Sequence, residues 1–565
     1  MIMSFKKNET ENISLFSRYT GLSERDMRFL EKSPFYVLGE KVFPKINEER
    51  FAVLYSDNKF SRPNTPVNVV VSALIIKELM GLTDEELFES VLFDLRFQYA
   101  LHTLNFDEQP FSDRTLSRFR ERLAKHELET GEDLLKDEVM DLSAEIAECM
   151  NINGTVKRMD SLMISSHCKK LSRIQLFYTT IAAMVKRIFK DDKDAQSIFS
   201  EFEHYISKED MNNTVYRVKS GDLDNRLEKI AKDAVILRDK CAHWSEAEEY
   251  KHLCRLIDEQ ITFDNDAPEV IPGKDVSPSS MQNPTDPDAT FRRKAGVDHT
   301  GYVGNVVESL GEDSAIITQF DFQTNNYSDS QFCKDVVDEM GKQSETVTLI
   351  ADGAYFSQEN IKNAAENNIE LVTTSLSGQT PDEEIANFVV DEENHQVMNC
   401  PAGKAPTDFT YDEEKGKYKI VYEKWQCAEC PYKDKCKAKL QKDRAVVNIS
   451  EGRILRAQYM KKILSERYKK LQKLRNGVEG VPSILRRRYA VDSIPAYGLV
   501  RSKLWFTIKI CVINITRFIK WSQIYKEGRQ SLPFIILFFH ILTFFILIAL
   551  ILENFMRFRH RKIQF

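Results

Sequence analysis

Two strand-like runs, Val156-Lys157-Arg158-Met159-Asp160-Ser161 and Thr348-Leu349-Ile350-Ala351-Asp352-Gly353-Ala354-Tyr355, each carry one aspartate, and a long acidic helical stretch from about Ser172 to Asp264 lies between them. A chain built this way has to bring together strands that are remote in sequence. Beyond a linker rich in Pro, Asp and Ser, Ala267–Pro287, strand patterns resume at Gly301–Leu310, Ala315–Phe322, Thr346–Ala351 and Ile369–Thr374, with a helical segment at Gln358–Asn367 before the last. Strands alternating with helices imply an α/β sheet. The helical block is then an insertion between the first strand and the rest of its own sheet. At 565 residues the chain also exceeds the roughly 250–300 residues at which a single core stops growing, so several domains are expected.

The acids matter chemically as well as topologically. Asp352 follows the apolar run Val347–Ala351, which puts its carboxylate at the C-terminal edge of a buried strand, where open α/β sheets bind ligands. Asp160 alone says little, since a strand-end aspartate is more often a turn or cap residue. A third acid, Glu479, lies in Arg475-Asn476-Gly477-Val478-Glu479, with Arg475 one helical turn before it and Arg486 seven residues after it. Asn476-Gly477 and Pro482 make that helix imperfect, and an Arg–Glu pair worth about 0.2–0.5 kcal/mol is the plain alternative there. Three carboxylates from distant segments suit Mg²⁺, which takes oxygen ligands and keeps positions open for water and phosphate. Two such ions about 3.5–4 Å apart activate a nucleophile and stabilise the leaving oxygen of a phosphodiester. Asp160, Asp352 and Glu479 are therefore the candidate catalytic residues and Mg²⁺ ligands.

Charge points to the partner. Lys433 to Arg529 holds 25 Lys/Arg against 7 Asp/Glu, a local excess of +18 on a chain whose total is −7. A basic third on an acidic body is the footprint of a polyanion such as DNA, although solvated helix faces read the same way. From Arg62-Pro63 to about Met150 the pattern is helical. Val67–Met80 is apolar, Thr83 with Glu86 forms a capping box, and Ser112 caps a helix over Asp113–His126. In that helix Arg114, Arg118 and Arg122 recur every four residues while Leu116, Phe119 and Leu123 face inward. This fits a helix-turn-helix-like reader of DNA, with an ordinary charged surface helix as the alternative.

Four of the ten cysteines fall within Cys400–Cys436, spaced C-x₂₆-C-x₂-C-x₅-C as Cys400, Cys427, Cys430 and Cys436. Four thiolates suit a closed tetrahedral Zn²⁺ site, with reduced surface cysteines as the alternative. Nearby Lys433, Lys435, Lys437 and Lys439 suit phosphate contact. Cys149, Cys168, Cys241, Cys254, Cys333 and Cys511 lack ligand spacing and read as core residues. Met1 to Thr20 has no apolar export segment, so a cytoplasmic location is expected.

Arg158-Met159-Asp160-Ser161-Leu162-Met163-Ile164-Ser165-Ser166, Gly301-Tyr302-Val303-Gly304-Asn305, Ile350-Ala351-Asp352-Gly353-Ala354-Tyr355 and Arg475-Asn476-Gly477-Val478-Glu479-Gly480-Val481-Pro482-Ser483 together resemble the blocks of bacterial insertion-sequence DDE transposases, in the family's order and over roughly 60–520. The resemblance implies an RNase H-like catalytic domain, two divalent metals on Asp160, Asp352 and Glu479, and cut-and-paste movement of the enzyme's own element. One branch carries Tyr-x₂-Arg-x₃-Glu-x₆-Lys around the last acid. Here Arg475, Glu479 and Arg486 stand at that spacing, Gln472 replaces the tyrosine, and the nearest tyrosine is Tyr468. The resemblance makes Arg475 and Arg486 contacts to the transposon end and the N-terminal helices, with Arg114, Arg118 and Arg122, the binder of terminal inverted repeats. A cysteine-rich, zinc-ribbon-like insertion between the second and third acids is also like the family. Target DNA and a homodimer on DNA, in the bacterial nucleoid, complete the expected partners. The alternatives are an inactivated transposase that only binds DNA, or another RNase H-like nuclease.

The expected division is an N-terminal segment (1–60), a helical DNA-binding domain (61–150), the catalytic domain (151–171, 286–380 and 465–521), a helical acidic insertion with linker (172–285), the cysteine-rich insertion (381–445) and an apolar tail (522–565). In that tail Leu532–Leu552 meets the length of a membrane span and is followed by Arg557, Arg559, Arg561 and Lys562. It reads as a membrane anchor, a partner-packing helix, or translated sequence left by a damaged or fused reading frame, and the last is favoured.

Overall fold

The computed structural model describes residues 4–8, 21–58, 60–104, 111–112, 114–192, 194–217, 220–264, 267–294, 296–376, 382–391 and 394–524. The tail at 525–565, with its apolar run Leu532–Leu552, and Asp113 and Pro110 lie outside the described residues. Among the described residues no helix is long and apolar enough to cross a membrane.

A six-stranded mixed sheet forms the centre. Its strands are β1 (Val156–Ser165), β2 (Thr290–Lys294), β3 (Val297–Leu310), β4 (Ala315–Thr324), β5 (Val347–Ala351) and β6 (Ile369–Thr373). β3 pairs with β1, β2 and β4, all antiparallel, and β1 continues in parallel to β5 and then β6. β5 is buried at every position, as a central parallel strand covered on both faces must be. Met159, Val303, Val307 and Leu349 face one layer, made by helices Asp329–Met340 and Gln358–Glu366. Leu162, Ile164, Val306 and Phe322 face the other, where a helix over 499–524 and the N-terminal helices pack.

The N-terminal helices are knit to the 499–524 helix by charge as well as by core. Lys503 pairs with Glu127 and Asp133, and Lys509 with Glu78. Helix Val67–Met80 is buried on every side over most of its length, consistent with its near-continuous apolar sequence. Gly81 ends it in the left-handed conformation at φ 69°. The Thr83–Glu86 capping box is formed. Residues 24–54, on which the polar sequence pattern is silent, are also helical and belong to this layer. Their aromatic residues Phe35, Phe43 and Phe51 are what buries them.

Between β1 and β2 the chain forms helices Arg173–Asp191, Leu223–Lys240 and Glu248–Gln260 around a core of their own. The stretch read as a linker, Ala267–Pro287, is more ordered than its composition suggests. Ala267–Val270 pairs with Ile261–Asp264 as a hairpin, and Asp286, fully buried, accepts hydrogen bonds from Ser166, Tyr302 and the Gly498 amide. A second, four-stranded antiparallel sheet contains Asp408–Asp412, Lys417–Glu423, Arg444–Ser450 and Lys439–Leu440. Of the cysteines expected in cores, Cys241, Cys333 and Cys511 are buried, Cys168 and Cys254 half-buried, and Cys149 is exposed, because it falls on the outer face of its helix.

Candidate active site

Strand register decides where the first two acids go. In the parallel pair β1/β5 the last partners are Arg158 and Ile350; Asp160 and Asp352 each follow two residues later, close enough for the Asp352 charge to act on the Asp160 carboxyl. Parallel partners project to the same face, with strands about 4.8 Å apart. Asp352 follows the last residue of β5 and is oriented by two donors, the Gly353 amide at 2.6 Å and Thr374 Oγ1 at 3.3 Å, both to Oδ1. Gly353 allows this tight turn, since a Cβ there would meet Ser375 Oγ at 2.6 Å and its carbonyl oxygen at 2.7 Å. The Ser161 amide donates to Asp160 Oδ1 at 3.0 Å.

Glu479 arrives from a different element. Helix Glu466–Arg475 passes into a 3₁₀ turn, Asn476–Glu479, and then into helix Gly480–Arg487. Arg475 links the two parts of the site, its Nη2 lying 3.2 Å from Asp160 Oδ2 and its Nη1 3.5 Å from Glu479 Oε1. The Arg–Glu pair is thus present, and the same guanidinium also reaches Asp160. Asp160 and Arg475 are largely buried, whereas the Glu479 side chain is 66% exposed. Among the described residues no three His, Cys, Asp or Glu side chains are grouped so as to hold one metal ion. Two carboxylates stand side by side and the third is a guanidinium away.

Burial raises the Asp160 carboxyl above the ordinary range; Arg475 and the Ser161 amide pull it down, and the neighbouring Asp352 charge pushes it up again. Because the folded state holds this proton more tightly than the unfolded chain, ionising Asp160 loses stability as pH rises from the unfolded value, about 3.9, through the folded one. A divalent cation has to displace that proton. Its affinity is therefore expected to fall away, on acidification, at a higher pH than an ordinary aspartate pair allows; Mn²⁺ titrations across the acid range check this.

Residues 24–122 match the family described as a transposase domain (DUF772), and residues 399–519 match that described as a transposase DDE domain. Both matches support an insertion-sequence DDE transposase. The DDE match includes Arg475, Glu479 and Arg486, and the N-terminal match includes Arg114, Arg118 and Arg122. Curated proteins give no match to this chain. Among solved structures it is similar to a piggyBac transposase synaptic complex with hairpin DNA, at 11% identity and TM-score 0.28, over 88% of this chain and 76% of that one.

Several expected DNA contacts of the transposase have other engagements. Arg486 donates to the Met163 carbonyl at 2.9 Å and pairs with Asp492, which fastens its helix to β1. Arg114 and Arg118 are exposed on helix Arg114–Thr130, but Arg122 is half-buried with its guanidinium 4.8 Å from the Tyr55 ring centre. The arginine stripe is shorter than its four-residue spacing implies, because Tyr55 covers its end. Gln472, where the family branch has tyrosine, donates to the Thr373 and Ile463 carbonyls, and Tyr468 packs on Ile350 and Val372 and donates to Glu370.

Sequence patterns also pass over residues that shape the transposase site. Tyr355 is buried and donates to Asn305 Oδ1 at 2.9 Å, and Ser161 donates to Asp329 at 2.6 Å. Arg158 pairs with the fully buried Glu308. Burial holds the Tyr355 hydroxyl well above its usual range, so it stays neutral. Tyr355 and Asn305 stand inside the motif blocks, but their pairing depends on β3 lying beside β1. Away from this site, Cys400, Cys427, Cys430 and Cys436 line one small cavity with Tyr422 and Tyr432. The Cys436 thiol is pushed up to about 12, first by burial and then by the other three cysteines. Among the described residues the Tyr422 hydroxyl, buried there, has no hydrogen-bond partner.

Proposed function

We propose that this transposase moves its own element by metal-assisted phosphoryl transfer on DNA, carried out on an RNase H-like sheet by Asp160, Asp352 and Glu479. The observation that carries the reading is the parallel β1/β5 pairing, which ends two residues before Asp160 and Asp352, together with the effect of the Asp352 charge on Asp160. An antiparallel β4–β3–β1 half joined to a parallel β1–β5–β6 half, with helices on both faces, supports the RNase H-like assignment. The donor set fits Mg²⁺: all oxygen, two carboxylates adjacent, and one of them raised by burial and by its neighbour's charge. When bound, two Mg²⁺ ions would lower the pKa of the attacking hydroxyl and stabilise the departing 3′-oxygen.

The protein's own part is placement. Gly353 and Thr374 aim Asp352, and Ser161 aims Asp160. Arg475, which lies against both Asp160 and Glu479, has a planar fork that would match a phosphate of the scissile strand. Lys469, Lys470, Lys473, Arg487 and Arg488 are exposed on the same segment and supply a track for the DNA backbone. Arg114 and Arg118 would bind the terminal repeats. The purified transposase should nick DNA ending in its own inverted repeats when Mg²⁺ is present, and should join a pre-nicked 3′-end to a target. Cutting without joining would make it a nuclease instead, and binding without either would make it a DNA-binding protein only.

The cysteine cavity is part of the same proposal, as a structural Zn²⁺ site that steadies the insertion before Glu479. Four thiols around one cavity support it; among the described residues they are not grouped as a formed metal site, and they would have to lose their protons to bind. Elemental analysis should find about one zinc per chain, and Cys427→Ser with Cys430→Ser should remove it. Zinc-free wild-type protein with the same melting temperature would end this part.

A further inference from the structure

We propose that Arg158 is a positioning residue for the Glu479 carboxylate, and that Gly477 is the opening that lets it act. The inference rests on the reading of Glu479 as a metal ligand and asks what fixes it in place. The Glu479 side chain is exposed, and its one polar contact among the described residues is Arg475. Its location therefore depends on the backbone of the 3₁₀ turn Asn476–Glu479. The end of the helix that leads into that turn is held to the sheet by Arg158, whose Nη1 donates to the Leu474 carbonyl at 2.8 Å. A Cβ on Gly477 would fall onto the Arg158 guanidinium, with Cζ at 2.7 Å and Nη2 at 2.9 Å. The guanidinium lies directly against the turn, and any larger residue there has to push it off Leu474.

Arg158 is itself fixed from behind. Glu308, opposite it on β3 and fully buried, accepts from Arg158 Nε at 2.7 Å through Oε2. The other oxygen of Glu308 lies 2.7 Å from Arg517 Nη2, on the 499–524 helix. The β3/β4 register shifts between Val307 and Glu308, an irregularity of the kind that re-aims a side chain. Arg158 and Asp160 are two residues apart on β1 and share a face. The strand that carries the first acid thus also sets the turn that carries the third. Lysine cannot substitute, since it lacks the fork that bonds Glu308 and Leu474 together.

Full-length wild type, Arg158→Lys, Gly477→Ala, the double variant and Glu479→Gln are compared. The readouts are Mn²⁺ affinity from the spectroscopic signal of the free ion, amide exchange over 474–480, nicking, and terminal-repeat binding. Arg158→Lys keeps a charge on Glu308, so it removes the fork without stranding a buried carboxylate. Each single variant is expected to weaken Mn²⁺ binding and nicking by about tenfold, to speed exchange over 474–480, and to leave DNA affinity unchanged. The double variant should fall within about twofold of Arg158→Lys alone, because the shorter side chain leaves room for the added methyl. Losses that multiply, or wild-type Mn²⁺ affinity and exchange in both single variants while Glu479→Gln binds Mn²⁺ weakly, overturn the proposal. If Glu479→Gln itself binds Mn²⁺ and nicks normally, the ligand reading fails and this proposal falls with it, a pattern distinct from the other two.

Discussion

Asp352→Ala is expected to abolish Mg²⁺-dependent nicking of terminal-repeat DNA, by at least about 10³-fold, while the affinity for that DNA changes by less than about threefold. A 10³-fold loss corresponds to about 4 kcal/mol of transition-state stabilisation. The reasoning is local. Asp352 ends the buried strand β5, its Oδ1 is held by the Gly353 amide and Thr374, and its charge acts on Asp160. Removing it deletes the central oxygen ligand of the pair and relieves Asp160 of an adjacent negative charge, so the Asp160 carboxyl should titrate lower. The fold has little reason to suffer, because the carboxylate is only half-buried and makes no ion pair among the described residues. Asp352→Asn is the sharper version, since it keeps shape and hydrogen-bonding capacity while losing the charge. Gel assays of nicking and mobility-shift assays of binding separate chemistry from recognition. A purified Asp352→Ala protein that still nicks in Mg²⁺ would sink the catalytic assignment.

What can be read from sequence follows from how far each signal reaches. β5 and Asp352 are legible because a five-residue apolar run followed by Asp-Gly needs no tertiary information. The Thr83 capping box and the inward face of helix Arg114–Thr130 are legible for the same reason. Asp160 is ambiguous alone and is given meaning by a strand partner almost two hundred residues later, which no local pattern encodes. The helices over 24–54 escape sequence patterning because their apolar residues are scattered over short helical pieces, including 3₁₀ and π turns, where a 3.6-residue period breaks down. Tyr55, directly after these pieces, takes Arg122 out of the arginine stripe. Arg158 and Glu308 give no signal, since a charged pair facing across two strands is invisible until their register is known. Local chemistry is therefore written locally, while the support that aims it is written in pairings between distant strands.

Gly301→Ala is expected to cost about 3–5 kcal/mol of stability, enough in many domains to leave no soluble protein. Gly301 has φ 150°, a conformation that L side chains rarely adopt, and faces Ser165 on β1 and Thr290 on β2. A Cβ there would collide with the Ile164 carbonyl oxygen and would meet the Ser166 amide nitrogen at 2.6 Å. Both obstacles are backbone, so neither can rotate away; β1 and β3 would have to separate. That separation would break the Ser166 amide bond to the Thr300 carbonyl and disturb the register on which the placement of Asp160 depends. Gly304, three residues further along β3, provides the internal comparison. Its added Cβ would meet the Phe506 ring at 2.7 Å, which is a side chain and can shift at a cost of about 1–3 kcal/mol. Urea unfolding of the two variants should therefore rank Gly301→Ala well below Gly304→Ala, and both below wild type. The reverse order would mean that the β1–β3 contact yields more easily than the packing of the 499–524 helix.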